Sequence, residues 1–173
     1  MAEIKIVITG AVGSGKTTAI QAISEVPVIS TEVDASDEVR EQKETTTVAM
    51  DYGELSLEDG NVLKIYGTPG QKRFSFMWEI LAEGALGFVI LVNDQRSQPL
   101  EDLAMYLENF ELYIRESTVV VGVTHVDYED SGMEKYHDYM SRYGLNYPIF
   151  PIDARRQTDV KVMIEAMAAM MNA

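Results

Sequence analysis

Cysteine is absent from this 173-residue chain. That excludes disulfides, thiolate metal centres, prenylation and palmitoylation. Basic residues are scarce: 14 Lys and Arg stand against 28 Asp and Glu, a formal net charge of −14. Nucleic acid is therefore not an expected partner, because phosphate backbones are held by clustered cations. The same deficit argues against an unaided hold on anionic lipid. No apolar run approaches the roughly 18 residues of a membrane span. Position 2 is Ala2, not the glycine that myristoylation requires. The first dozen residues read as a strand and a loop, so no signal peptide and a cytoplasmic location are expected. The acidity itself reads as a solubility device, with a basic protein partner as the alternative.

What is present is an ordinary globular profile, 46% hydrophobic and 24% charged, which supports one domain over residues 1–173. Ile4, Ile6 and Ile8 alternate and predict a strand over 3–9. Residues 48–57 and 61–66 predict two strands of a hairpin turning at Glu58-Asp59-Gly60. Residues 86–92 and the valine-rich 118–124 predict buried strands, and 148–152 a short one. Helices are expected over 17–25, 74–84, 100–116 and 133–143. A last helix carries Val160, Met163, Ile164, Met167, Met170 and Met171 on one face, a methionine stripe that reads as core. Residues 28–44 are rich in acids, carry Arg40 and Lys43, show no apolar period and read as a loop. The expected fold is α/β, with helices on both faces of a six-stranded, mostly parallel sheet containing one antiparallel strand. No domain linker or internal repeat interrupts it.

The strongest motif is Gly10-Ala11-Val12-Gly13-Ser14-Gly15-Lys16-Thr17, placed between a strand and a helix. In that context Gly-x-x-x-x-Gly-Lys-Thr is a phosphate-binding loop. Its glycines permit close backbone approach, and the N–H groups of residues 13–17, with the helix N-terminus, surround phosphate oxygens. Lys16 adds a point charge, and the Thr17 hydroxyl suits Mg²⁺, a hard cation. Gly10, Val12, Gly13, Ser14, Gly15, Lys16, Thr17 and Thr18 form the candidate phosphate-binding set. The loop alone does not choose between ATP and GTP.

Four further segments follow in order: Thr46-Thr47-Val48-Ala49-Met50-Asp51, Tyr66-Gly67-Thr68-Pro69-Gly70-Gln71-Lys72-Arg73-Phe74, Thr124-His125-Val126-Asp127 and Asp153-Ala154-Arg155. With these the chain resembles the Ras-like small GTPases over its full length, and within them a bacterial and archaeal branch. That branch is related to the polarity GTPase of gliding bacteria and to conservon-type GTP-binding proteins.

The resemblance implies the small G-protein form of the P-loop NTPase fold, GTP and GDP as substrate and product, and Mg²⁺. It implies a switch I threonine on the metal and γ-phosphate, Thr47 by its spacing to Asp51, with Thr46 as competitor. It implies a switch II in which Gly70 meets the γ-phosphate and Gln71 orients the attacking water. A base site follows, of Thr124, His125, Asp127, Asp153, Ala154 and Arg155. There Asp127 reads guanine N1–H and the 2-amino group, His125 stacks, the Ala154 N–H meets the guanine oxygen and Arg155 lies over base or ribose. A regulatory partner of the roadblock/LC7 type is implied, and no oligomeric state.

Two departures stand out. Gly67 replaces the switch II acid that holds Mg²⁺ through water, with Asp94 as a possible substitute or simply a capping residue. Val12 occupies a position usually held by glycine and crowds the glutamine, implying slow hydrolysis. Arg73 is a candidate catalytic cation, or a surface arginine pairing with Glu79 or Glu83. Trp78 with Phe74, Phe76 and Met77 forms either core or a partner surface; His137 reads as a surface residue. The alternatives to a GTP switch are an ATP-using kinase or ATPase and a nucleotide-bound scaffold that never turns over.

Overall fold

Successive residues of the first strand point to opposite faces of the sheet, and both faces here are apolar. In β1 (Glu3–Gly10), Ile6 and Ile8 enter one core while Val7 enters the other. A strand buried on both sides must lie mid-sheet, and it does. The computed structural model describes residues 2–34, 47–127 and 132–172. Along these run α1 (Lys16–Ile23), β2 (Ile29–Asp34), β3 (Thr47–Ser56), β4 (Val62–Gly67), a 3₁₀ turn (Lys72–Phe74) and α2 (Phe76–Ala82). Then come β5 (Gly87–Asn93), α3 (Pro99–Asn109), α4 (Glu111–Ile114), β6 (Thr118–Thr124), α5 (Glu134–Arg142), β7 (Ile149–Pro151) and α6 (Gln157–Met171).

The sheet order is β2-β3-β4-β1-β5-β6-β7. β3 runs antiparallel to both its neighbours, and the remaining pairings are parallel. The sheet thus has 7 strands rather than the six expected. The addition is β2, inside the segment read as a loop; its alternation Ile29, Thr31, Val33 against Ser30, Glu32, Asp34 is a period-two pattern hidden by the surrounding acids. The rest of that segment, residues 35–44, lies outside the described residues.

Helices α1 and α6 cover one face, contributing Ala19, Ile20, Ile23, Val160, Met163, Ile164 and Met167 to its core. The methionine stripe is core as expected, though Met170 is largely exposed at its end. Each fully buried methionine or isoleucine contributes on the order of 1.5–3 kcal/mol. Helices α2 to α5 cover the other face, with Trp78, Tyr106, Phe110, Tyr136 and Met140. The helix expected over 100–116 is interrupted at Phe110, whose ring is buried against Phe88 and Trp78 at 5.5 and 5.7 Å between centroids.

Strands β1, β5 and β6 end level with one another: Gly10 pairs with Leu91, and Asn93 with Thr124. Loops 11–15, 93–96 and 124–127 therefore gather at one edge, beyond the carboxyl ends of the strands, where α/β sheets bind ligands. Among the described residues no helix is long and apolar enough to cross a membrane.

Candidate nucleotide site

The loop after β1 is shaped by its glycines and held by side chains from two other strands. Gly13 and Gly15 take φ of 79° and 102°, a left-handed region that side-chain-bearing residues avoid. Three consecutive carbonyls of the loop accept bonds from outside it. Val12 O accepts from Arg96 Nη1 at 3.5 Å, Gly13 O from Asn93 Nδ2 at 3.0 Å, and Ser14 O from Thr124 Oγ1 at 2.9 Å. In a trans peptide the N–H points opposite to the C=O. Drawing these carbonyls outward turns the N–H groups of residues 13 to 15 toward the loop's interior, where the Ser14 N–H closes a turn on Ala11 O at 3.0 Å. The N-terminus of α1 opens onto the same space, with Thr17 and Thr18 exposed there.

Lys16 is 8% exposed and folds back over the loop, donating to Gly10 O at 2.6 Å and Ala11 O at 2.9 Å. Burial, with a smaller push from Arg96, brings its ammonium down to about 8 against the pull of Asp51. Burial disfavours the proton on Lys16 despite its two carbonyl acceptors, and a cation beside inward N–H groups is a favourable place for an anion.

The segment expected as switch II, residues 66–74, lies directly on this loop. A Cβ at Gly70 would sit 2.7 Å from Val12 N and 2.8 Å from Lys16 Nζ, so only glycine fits. Two side chains anchor the segment: Trp78 Nε1 donates to Pro69 O at 2.8 Å and Tyr106 Oη to Gly70 O at 3.4 Å. Trp78 and Phe74 are core, while Phe76 and Ile80 are exposed. Gln71 and Arg73 are exposed, and Arg73 Nε donates to Gln71 Oε1 at 2.6 Å with its guanidinium 4.8 Å from the Phe74 ring centroid. Arg73 thus engages Gln71, a neighbour that neither of its expected roles named.

Asp51, on β3, was missed as a site residue. It is buried, and its carboxylate accepts from the Thr17 hydroxyl and from Ser30 Oγ, the latter at 2.8 Å. Asp51 is the cross-strand partner of Gly67. A Cβ added at Gly67 would lie 3.3 Å from Asp51 Cβ and 3.5 Å from Asp51 Oδ2. A carboxylate from β3 thus stands beside the position where β4 carries none. The signal was readable: a hairpin turning about Asp59 sets residue 51 opposite 67.

Asp94 is turned elsewhere, accepting from Tyr136 Oη at 2.6 Å and pairing with Lys135 at 2.7 Å. Its contacts are structural, but they tie the loop after β5 to α5 and do not cap a strand end as weighed; burial first and then this contact raise the Tyr136 phenol above its ordinary value. Among the described residues no group of three or more His, Asp or Glu could hold a metal alone. The donors at hand, the Thr17 hydroxyl and the Asp51 carboxylate, are hard oxygens. They suit Mg²⁺ completed by phosphate oxygens and water. Of the switch I candidates, Thr47 opens β3 opposite Asp34, and Thr46 lies outside the described residues.

Beside the loop is a cavity of about 410 Å³, lined by Gly15, Thr18, Thr124, His125, Val126, Ile152, Asp153, Ala154 and Arg155. It brings together the expected base-site segments. Thr124, buried, links the strand end to the phosphate loop through Ser14 O and receives His125 Nδ1 at 3.0 Å. His125 holds a left-handed φ of 59°, which turns its ring out of the strand direction toward the opening. Asp127 follows Val126, exposed. Arg155 folds back onto Asp153, with Nε at 2.9 Å and Nη2 at 2.8 Å, and these bonds hold the Asp153 carboxyl well below the usual range. Arg155 borders the cavity through this pairing. Ala154 is buried, its Cβ 3.0 Å from where a Cβ on Gly15 would stand. His137 is exposed, as expected.

The sequence model of the family described as conserved hypothetical ATP binding protein matches residues 8–172. The chain belongs to this family. It is also similar to an uncharacterised protein of Methanocaldococcus jannaschii, 38% identical over 92 residues, which are 53% of this chain and 51% of that protein. The chain spans about half the length of that relative. Among solved structures it is similar to a bacterial selenocysteine-specific elongation factor, with a TM-score of 0.65 at 19% identity, over 98% of this chain and 29% of that one. That likeness shows the fold alone. Fold, loop and family together establish this family member as a nucleotide-binding P-loop protein.

Proposed function

We propose that this P-loop protein is a Mg²⁺-dependent GTP-binding switch that hydrolyses GTP slowly on its own. The observation that carries the reading is the base-side cavity, lined by Thr124, His125 and Val126, in which Thr124 couples that segment to the phosphate loop; Asp127 is the next residue, beyond the lining itself. A carboxylate offers two acceptors. Guanine presents two donors on one edge, N1–H and the 2-amino group, whereas adenine presents an acceptor at N1. A site built to satisfy hydrogen bonds rejects the analogue that leaves them unpaired.

On the phosphate side, Lys16 and the loop N–H groups bind the β- and γ-phosphates, and Thr17 with Asp51 holds Mg²⁺. Held by these oxygens, Mg²⁺ would supply positive charge against that developing on the phosphates. Gly70 meets the γ-phosphate, so switch II senses its presence, and Gln71 swings from Arg73 to orient water. Thr47 closes on the metal from switch I. The exposed Phe76 and Ile80 on α2 offer the nucleotide-dependent surface. Resemblance to the polarity GTPase suggests a roadblock/LC7-type regulator and a signalling role.

The family description favours a second reading, ATP as the ligand. Displacement of a fluorescent GDP analogue by ATP and by GTP separates the two. GTP is expected to displace at least ~100-fold more tightly, and Asp127→Asn to transfer that preference to xanthosine triphosphate, whose 2-oxo group accepts from an amide. Tighter displacement by ATP refutes the guanine assignment.

A further inference from the structure

Arg96 holds the Val12 carbonyl of the phosphate loop but has no role in the chemistry described so far. It follows β5, and its backbone is fixed by a turn: Arg96 N donates to Asn93 O at 3.2 Å and Gln95 N to Asn93 Oδ1 at 2.9 Å. Asn93 is also the residue that holds Gly13 O, so the turn is bonded directly to the phosphate loop. The guanidinium reaches Val12 O through Nη1 at 3.5 Å and is tethered through Nε to Asp102 Oδ2 at 2.6 Å. Asp102 belongs to the first turn of α3.

Val12 is also where Gly70 and Lys16 Nζ converge, the corner that a γ-phosphoryl group enters. Arg96 therefore lies one peptide from that corner, bonded on the outward side of the Val12 carbonyl, with its side chain 42% exposed. Its charge and that of the Lys16 ammonium flank the same loop, Arg96 at Val12 O and Lys16 at Gly10 O and Ala11 O. Two cations set against one another around inward-facing N–H groups lower their energy when a polyanion arrives. Arg73, by contrast, is held by Gln71 and Phe74.

Resting on the GTPase reading, we propose that Arg96 is the arginine this chain supplies to its own γ-phosphoryl group, held in reserve by Asp102. In the reaction, a water oxygen forms the new bond to the γ-phosphorus and the bond to the β-phosphate oxygen breaks. The water proton passes to the phosphate product, GDP leaves, and Arg96 keeps its proton throughout. Its contribution is to stabilise charge on the γ- and bridging oxygens as they separate. The tether to Asp102 keeps the basal rate low until it is exchanged for phosphate.

Single-turnover GTP hydrolysis by the full chain with Mg²⁺ tests this, alongside GDP affinity and the Trp78 fluorescence response to aluminium fluoride with GDP. Arg96→Ala is expected to slow hydrolysis at least ~30-fold and abolish the aluminium fluoride response. GDP affinity is expected to stay within about threefold, and free guanidinium ion to restore part of the rate. Asp102→Asn, which loosens the tether, is expected to hydrolyse at or above the wild-type rate. A rate within threefold of wild type in Arg96→Ala overturns the proposal. So does a parallel loss of GDP affinity, or Asp102→Asn falling as Arg96→Ala does, since either marks a structural bridge. Wild-type protein that binds GTP without turning it over overturns this proposal while leaving nucleotide binding standing. Failure to bind guanine nucleotides at all refutes the GTPase reading first.

Discussion

Asp51→Ala isolates the metal side of the site. In the free protein the Asp51 carboxylate accepts the Thr17 and Ser30 hydroxyls, and both of those residues are exposed. Each hydroxyl can turn to water when the carboxylate goes, so the fold loses about 1 kcal/mol, or ~2–4 °C in Tm for a chain of this size. The metal-bound state loses more. A carboxylate beside a metal's direct ligands is worth about 10–100-fold in affinity, or about 1.4–2.8 kcal/mol. The assay is the release rate of a fluorescent GDP analogue as Mg²⁺ is titrated. Mg²⁺ slows release from the wild type, and the midpoint of that effect is expected to rise about 10–100-fold in Asp51→Ala. The exchange Asp51→Gly with Gly67→Asp returns the carboxylate from the opposite strand. A Cβ at residue 67 meets Ile20 Cδ1 at 3.0 Å, which requires that side chain to give by a few tenths of an ångström. The exchange variant is expected to recover most of the midpoint. A Mg²⁺ midpoint in Asp51→Ala within threefold of wild type refutes the reasoning, because the buried carboxylate then serves only the hydroxyls.

Val12→Gly is expected to raise single-turnover GTP hydrolysis several-fold, because the Val12 side chain, 54% exposed, crowds the entry beside Gly70; an unchanged rate removes that argument. Lys16→Met tests the buried ammonium. The unfolded chain keeps a proton on lysine up to about pH 10.4. The folded site releases it near 8. Over that window the unfolded state binds more protons, so wild-type stability rises with pH, by at most about 3 kcal/mol for this group. Melting temperatures of ligand-free protein compared between pH 7.5 and 9.5 are expected to rise more in wild type than in Lys16→Met, and parallel curves refute the shift. Trp78→Phe strands the buried Pro69 carbonyl and leaves space against Tyr106 and Phe110. It is expected to cost about 2–3 kcal/mol, read as a Tm drop of ~5–10 °C.

Much of the fold was legible because its signals are local. The strand ending in Gly10, the apolar run of β5 and the valines of β6 lie within a residue of their expected places. The hairpin of β3 and β4 followed from Asp59-Gly60. The edge strand β2 was not legible, because its alternation spans only six residues beside a dense run of acids, and an edge strand buries little that would mark it. The break at Phe110 was also hidden: Leu103, Tyr106, Leu107, Phe110 and Ile114 keep one periodicity, while the backbone departs from helix at Phe110 to seat its ring. In the site, the phosphate loop was readable because glycine spacing encodes backbone shape. Arg96 was not, since its place depends on Asp102 and on a loop from another strand, contacts between segments that no spacing records.

The exchange of acid between β3 and β4 shows why motif reading fails at one particular kind of position. A motif specifies a residue by its distance along the chain, but a metal responds to a carboxylate oxygen wherever it is attached. Directly opposed residues in an antiparallel pair have Cβ atoms about 4.5–5.5 Å apart. An aspartate side chain covers that gap, so an acid can cross from one strand to its partner and deliver its oxygens to nearly the same point. The crossing demands a small residue where the acid used to be, and Gly67, packed against Asp51 and Ile20, meets that demand. If Asp51 serves the metal as proposed, the glycine that looked like a lost ligand is the space its replacement requires. The same reasoning applies to Arg96 and Arg73: what matters is which guanidinium can reach the γ-phosphate corner. On that measure the arginine bonded to the phosphate loop stands ahead of the one that the motif places beside Gln71.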